Sequence, residues 1–162
     1  MITDLFTVKM IADLYTRIED GEPGTGDAGE LGALWLDGDE ESATYGKSWE
    51  LTAVSDDVVP VYTWTLFKKD DAKIALFVPR AGADYLFIRG IAFETDGEEI
   101  VYPETAALTA AEMVCYLMGI GAYQGRGAKT EGQGDRSTSY DDKIAGYPAS
   151  IVGSIIRYVS AQ

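Results

Sequence analysis

The order of apolar and polar positions divides the chain into segments of different period. Over the first eighteen residues Val8, Ile11, Leu14, Tyr15 and Ile18 recur at three- and four-residue spacing, the mark of an amphipathic helix. Thr3 or Asp4 stands where a helix is capped, and Gly21 follows the last periodic residue, where a left-handed cap closes one. From Leu31 to Tyr102 the period reads as two. Trp49, Leu51 and Ala53 alternate with Ser48, Glu50 and Thr52, and Tyr62, Trp64 and Leu66 alternate with Thr63 and Thr65. Half-buried strands produce that alternation. The pattern predicts strands at Leu31–Leu36, Ser48–Val54, Val58–Phe67, Lys73–Val78, Tyr85–Phe93 and Glu98–Tyr102. Their links are short: Lys68-Lys69-Asp70-Asp71, Ala81-Gly82-Ala83, and Thr95-Asp96-Gly97-Glu98 with its Asp-Gly hairpin signal. Short links favour antiparallel neighbours, because a parallel crossover needs about a dozen residues.

A second helix is predicted from Thr109, where Thr109-Ala110-Ala111-Glu112 matches a capping box. Its apolar residues cover most of the circumference, the pattern of a helix pressed between layers. Residues 119–142 hold six glycines and almost no aliphatic side chain, which reads as a long loop. Tyr147–Val159 has helical spacing at Ile151, Ile155 and Tyr158, with Pro148 suited to a first turn, while its Ile, Val and Tyr content would also serve a strand. The fold class expected from these elements is α+β: an antiparallel meander of five to six strands, or a partly closed barrel, with an N-terminal helix and a second helix after the sheet. A chain of 162 residues fits a single domain.

Charge adds the most informative feature. The chain carries 27 acidic and 13 basic residues, a net of −14. Between Glu19 and Asp57 twelve acids face one base, Lys47, so this segment holds −11 of the total. Such a surface repels phosphate, which argues against direct binding to nucleic acid or to an anionic membrane. A salt-rich habitat would acidify the whole chain rather than one third of it. Three readings stay open, a solvated face, a salt-rich habitat and a docking surface for protein, the last with Asp37, Asp39, Glu40, Glu41, Glu30, Asp56 and Asp57 as the candidate contacts.

Candidate chemistry is sparse. The absence of histidine removes Ser-His-Asp and Cys-His catalysis and every histidine-ligated metal site. Cys115 is alone, so it forms no internal disulfide and no structural zinc site, and its apolar surroundings mark it as a core residue. Gly125–Thr130 has Ala128 before Lys129 and follows a helix, which departs from the phosphate loop in both spacing and context. Asp37–Glu41 lacks the alternation of an EF-hand loop. No cofactor and no metal is expected. A basic N-terminal stretch and a membrane-length apolar run are both missing, so the expected location is the cytoplasm, or the virion if the protein is viral.

The functional expectation is therefore a non-enzymatic subunit that self-associates or binds protein, of the sort found in phage or viral particles. Arg126, Lys129 and Arg136 of the glycine-rich loop would meet the acidic segment across an interface. The alternative is an acidic inhibitor that imitates nucleic acid and occupies the groove of a basic nucleic-acid-binding protein. A weaker alternative is a hydrolase that uses two carboxylates.

Overall fold

The structure is a computed structural model, and it describes residues 1–12, 17–120, 128–130, 139–140 and 142–155. It contains a four-stranded open sheet, a helical layer and short strand pairs. Helix α1 is Leu5–Ile11 and strand β1 is Arg17–Glu19. Then come β2 (Leu34–Asp37), β3 (Ser48–Val54), β4 (Tyr62–Phe67) and the long helix α2 (Asp71–Arg89). A hairpin of β5 (Thr95–Asp96) and β6 (Glu99–Ile100) precedes α3 (Glu104–Met118). Beyond it lie β7 (Ala128–Thr130), β8 (Ser139–Tyr140), β9 (Lys143–Ile144), β10 (Tyr147–Pro148) and α4 (Ala149–Val152).

The α+β class stands, and two of the expectations within it are corrected. The sheet is mixed and open, in the order β1-β2-β3-β4, rather than an antiparallel meander or barrel. Strand β1 pairs parallel with β2, Arg17 opposite Trp35 and Glu19 opposite Asp37. Residues 20–33 supply the crossover length that a parallel pair demands. The second correction is α2. Its sequence read as two strands with a turn at Ala81-Gly82-Ala83, yet it is one helix containing Pro79. The helical signal is the buried stripe Ile74, Val78, Ala81 and Tyr85, at spacings of four, three and four. Apolar residues on its other faces masked that stripe and imitated alternation.

Element boundaries moved for local reasons. Asp4 caps α1 by accepting the Thr7 amide at 2.8 Å, as expected. The helix stops at Ile11, and Ile18, which fits the helical spacing, instead pairs with Leu36 in the sheet. Helix α3 begins five residues before Thr109, with Pro103 at its N-cap, so the capping-box residues sit inside it. Its end is as a glycine dictates: Gly119 takes φ 64°, and the Ile120 amide returns to the Cys115 carbonyl. In the C-terminal segment, Tyr147–Pro148 is strand and Ala149–Val152 is helix, while 156–159 lie outside the described residues. Of the expected loop 119–142, β7 and β8 pair antiparallel and most of the remainder is outside the described residues.

Residues paired across strands share a sheet face. Trp35 is opposite Trp49, and Leu51 is opposite Trp64, so all three tryptophans lie on one face. The 20–33 crossover covers that face. The indole N–H of Trp35 donates to the Gly21 carbonyl at 2.9 Å, and that of Trp64 donates to Asp27 at 3.0 Å. Trp35 and Trp64 meet edge to face, and the Arg17 guanidinium stacks on Trp35. Trp35 and Trp49 are almost fully buried and Trp64 is half-buried, so the first two are core rather than a binding platform. The opposite face carries Leu36 and Ser48 and receives α1.

The main core lies in the helical layer. Val8 and Ala12 of α1, the α2 stripe, Ala110, Met113, Val114 and Cys115 of α3, and Ile151 and Val152 of α4 form one buried cluster. Cys115 is fully buried, and burial with the nearby Glu112 charge pushes its thiol up to about 12, so it is not a nucleophile near neutrality.

One buried cation joins the two layers. Lys9 on α1 is 1 % exposed, and its ammonium lies 2.6 Å from Asp71 at the start of α2. It also donates to the Gly46 carbonyl at 3.0 Å and to Ser48 Oγ at 3.1 Å, and Ser48 Oγ donates in turn to the Phe67 carbonyl. Burial holds the Lys9 pKa below its ordinary value, against the opposing pull of Asp71. Replacing Lys9 by Met leaves Asp71 and the Gly46 carbonyl without their partner. The expected loss is about 2–4 kcal/mol, toward the lower part of the range for broken buried pairs because Asp71 keeps some solvent contact. Urea unfolding measures it. A Lys9→Met protein as stable as the wild type would show that the cation is not what joins the layers.

Candidate functional site

The acidic segment does not form one surface. It is divided by β3, whose seven residues extend roughly 23 Å. At one end, the β2–β3 turn carries Asp39, Glu40 and Glu41, next to Glu19 and Asp20 at the end of β1. At the other end, the β3–β4 turn carries Asp56 and Asp57, while Glu30 lies in the crossover, which Gly32 ties to the middle of β3 by donating to the Leu51 carbonyl. Glu30, Glu40, Glu41, Asp56 and Asp57 are exposed and Asp39 is half-buried. The sequence-predicted contacts are thus brought together only as two separate groups.

Asp37 belongs to neither exposed group. It is fully buried, and its carboxylate organises the β2–β3 turn. Oδ1 accepts the Gly21 amide at 2.8 Å and the Asp39 amide at 2.9 Å, and Oδ2 accepts the Thr44 hydroxyl at 2.7 Å. Its own amide donates to the Lys47 carbonyl and its carbonyl accepts from Gly46. Burial pushes its carboxyl up, but the hydroxyls of Thr44 and Ser42 and the amides of Asp39 and Gly21 outweigh that and hold it below the ordinary value. The turn is anchored to α1 as well. Phe6 packs on Tyr45 at 5.0 Å between ring centres and covers Gly38 and Gly46, and Tyr45 OH donates to Asp4.

Of the glycine-rich loop contacts, Arg126 and Arg136 lie outside the described residues, and Lys129 falls in β7. Among the described residues no group of three or more His, Cys, Asp or Glu side chains is placed to hold a metal ion. No helix of the described residues is long and apolar enough to cross a membrane.

The surface that sequence reasoning missed is the outward side of α2. One side of this helix is buried against α3 and α1. On its solvent side Lys73, Leu76, Arg80, Ala83 and Phe87 fall at spacings of three, four, three and four, a single stripe, and all are exposed. Leu76 is 69 % and Phe87 80 % exposed. Beside the stripe an open cleft of about 250 Å³ is lined by Pro79, Ala83 and Leu86 of α2 with Met1, Ile2 and Tyr102. Ile91 lines a shallow groove with Leu86 and Phe87, and Ile100 and Val101, farther along the chain, are exposed as well. The stripe was legible in principle from its spacing; the strand assignment hid it. At the β3–β4 turn, exposed Val58, Val59 and Val61 stand beside Asp56 and Asp57.

The role of Asp37 can be tested by pH. A carboxyl whose folded pKa is depressed contributes stability above its unfolded value near 3.8, and that stability is lost as pH falls through the folded value. Asp37→Asn turns one acceptor into a donor facing the Thr44 hydroxyl or the Gly21 and Asp39 amides. The expected cost at pH 7 is about 1–3 kcal/mol. The gap from wild type should narrow below pH 3.8 in urea titrations; a gap constant from pH 7 to strong acid would mean that the charge on Asp37 does not matter.

No family model, curated protein or solved structure matches this chain, so its function rests on the surfaces described above.

Proposed function

We propose that the protein is a non-enzymatic assembly subunit that associates with copies of itself through the outward face of α2. The observation that carries this reading is the exposure of Leu76 and Phe87 on an ordered helix of a chain with net charge −14. Isolated exposed apolar residues are ordinary, but Leu86, Phe87 and Ile91 line one shallow groove at the end of α2, with Leu76 exposed on the same helix, and such a gathering is the mark of a contact surface. The outward side of α2 mixes Leu76 and Phe87 with Lys73 and Arg80, and among the described residues it is the side that α1 and α3 leave uncovered.

Other features support binding over catalysis. The Asp37 carboxyl is held down, opposite to the raised value that a general acid near neutrality needs. The cleft beside α2 is lined by apolar side chains and Tyr102, with no acid pair. The division of the acidic segment into two groups also weighs against reading it as one continuous row of phosphate-like charges.

Light scattering on untagged protein tests the proposal. The molar mass should rise above the 17.5 kDa monomer with concentration, at both low and high salt, because apolar burial carries the contact. Leu76→Glu with Phe87→Glu should return it to the monomer with an unchanged circular dichroism spectrum. A wild type that remains at 17.5 kDa at all concentrations would overturn the reading.

A further inference from the structure

The partner of the α2 stripe can be named from charge. Residues 68–89 hold five of the 13 bases, Lys68, Lys69, Lys73, Arg80 and Arg89, against three acids. Of these acids, Asp71 is paired with Lys9, and Asp84 accepts the Tyr147 hydroxyl at 2.6 Å and lies 3.8 Å from Arg80. The stripe itself, Lys73, Leu76, Arg80, Ala83 and Phe87, therefore combines two cations with large apolar side chains and contains no carboxylate. The β3–β4 turn is its counterpart in kind: Asp56 and Asp57 are followed by Val58, 104 % exposed, and Val59, 77 % exposed.

These two surfaces are separated along the chain by β4, since the turn enters the strand and α2 follows it. We propose that the α2 stripe of one copy docks on the β3–β4 turn of a second copy, a head-to-tail contact. This rests on the self-association proposed above and specifies its geometry. A two-fold contact of stripe on stripe would set Arg80 against Arg80 near the axis and Lys73 against Phe87, with no carboxylate in the stripe to oppose either cation. A contact of turn on turn would oppose four carboxylates. Only the heterologous pairing brings unlike charges together while covering apolar side chains from both copies, and charge of this kind fixes which surfaces meet. A head-to-tail contact leaves a free stripe at one end and a free turn at the other, so it propagates to a ring or a filament.

Charge swapping tests this with exposed positions alone. One variant carries Lys73→Glu and Arg80→Glu; the other carries Asp56→Lys and Asp57→Lys. Each alone places like charges across the contact and should associate at least about tenfold more weakly than wild type. Mixed, they restore unlike charges at both junctions, and the mass should rise to about 35 kDa or beyond, twice the monomer mass or more. The turn variant associating alone as strongly as wild type would overturn the pairing in favour of stripe on stripe. A mixture that stays at the monomer mass, with both variants showing wild-type circular dichroism, would overturn it as well. Absence of association in the wild type would instead remove the self-association reading on which the pairing rests.

Discussion

Lys9 is where the helical layer and the sheet are held in one arrangement. An ammonium taken out of water is costly unless several acceptors replace its hydration. Here three do so, and each comes from a different place: Asp71 at the start of α2, the Gly46 carbonyl at the end of the β2–β3 turn, and Ser48 at the start of β3. The apolar cluster does not supply this specificity. It contains α1, α2, α3 and α4, while the buried Trp35, Leu36, Trp49 and Leu51 belong to the sheet and fall outside it. Hydrophobic packing alone would allow α1 to slide on the sheet; a charge with fixed acceptors does not.

From that point the positions of both exposed surfaces follow. Asp71 is in the first turn of α2, so the Lys9 contact sets where the helix begins. The buried stripe Ile74, Val78, Ala81 and Tyr85 then sets its rotation, and the outward stripe is what remains. At the other side of α1, Asp4, Phe6 and Tyr45 hold the β2–β3 turn, and Asp37 closes it from within. The acidic turn is thus ordered by one buried carboxylate, and its exposed neighbours Glu40 and Glu41 are left to solvent.

The sequence disclosed those parts in which one local rule acted alone. Strand β3 has its predicted bounds because Trp49 and Leu51 face a core while Glu50 does not. The β5–β6 hairpin followed from Asp96-Gly97, with Gly97 at φ 65° where a side chain would be strained. Helix α2 is illegible as a helix because Leu76, Leu86 and Phe87 on its exposed sides weaken the contrast with the buried stripe on which periodicity depends. The boundary between α1 and β1 was hidden because Ile18 satisfies helical spacing and strand pairing equally. Charge counting found the acidic segment but could not separate Asp37, whose burial depends on Gly21 and Thr44 reaching it from sixteen and seven residues away. Lys9 carried a signal that went unread: it lies beside Val8 and three residues before Ala12 on the buried side of α1, a position where a lysine needs a partner.

The proposal for the outward face of α2, a contact surface and not merely solvent-facing helix, can be tested residue by residue. Amide hydrogen exchange measured at increasing protein concentration tests it most directly, because it reports which residues become covered. Protection should rise with concentration in α2 around Leu76 to Phe87 and in the β3–β4 turn around Asp56 to Val61, while β3 and α3 are unchanged. Protection independent of concentration in both segments would contradict it.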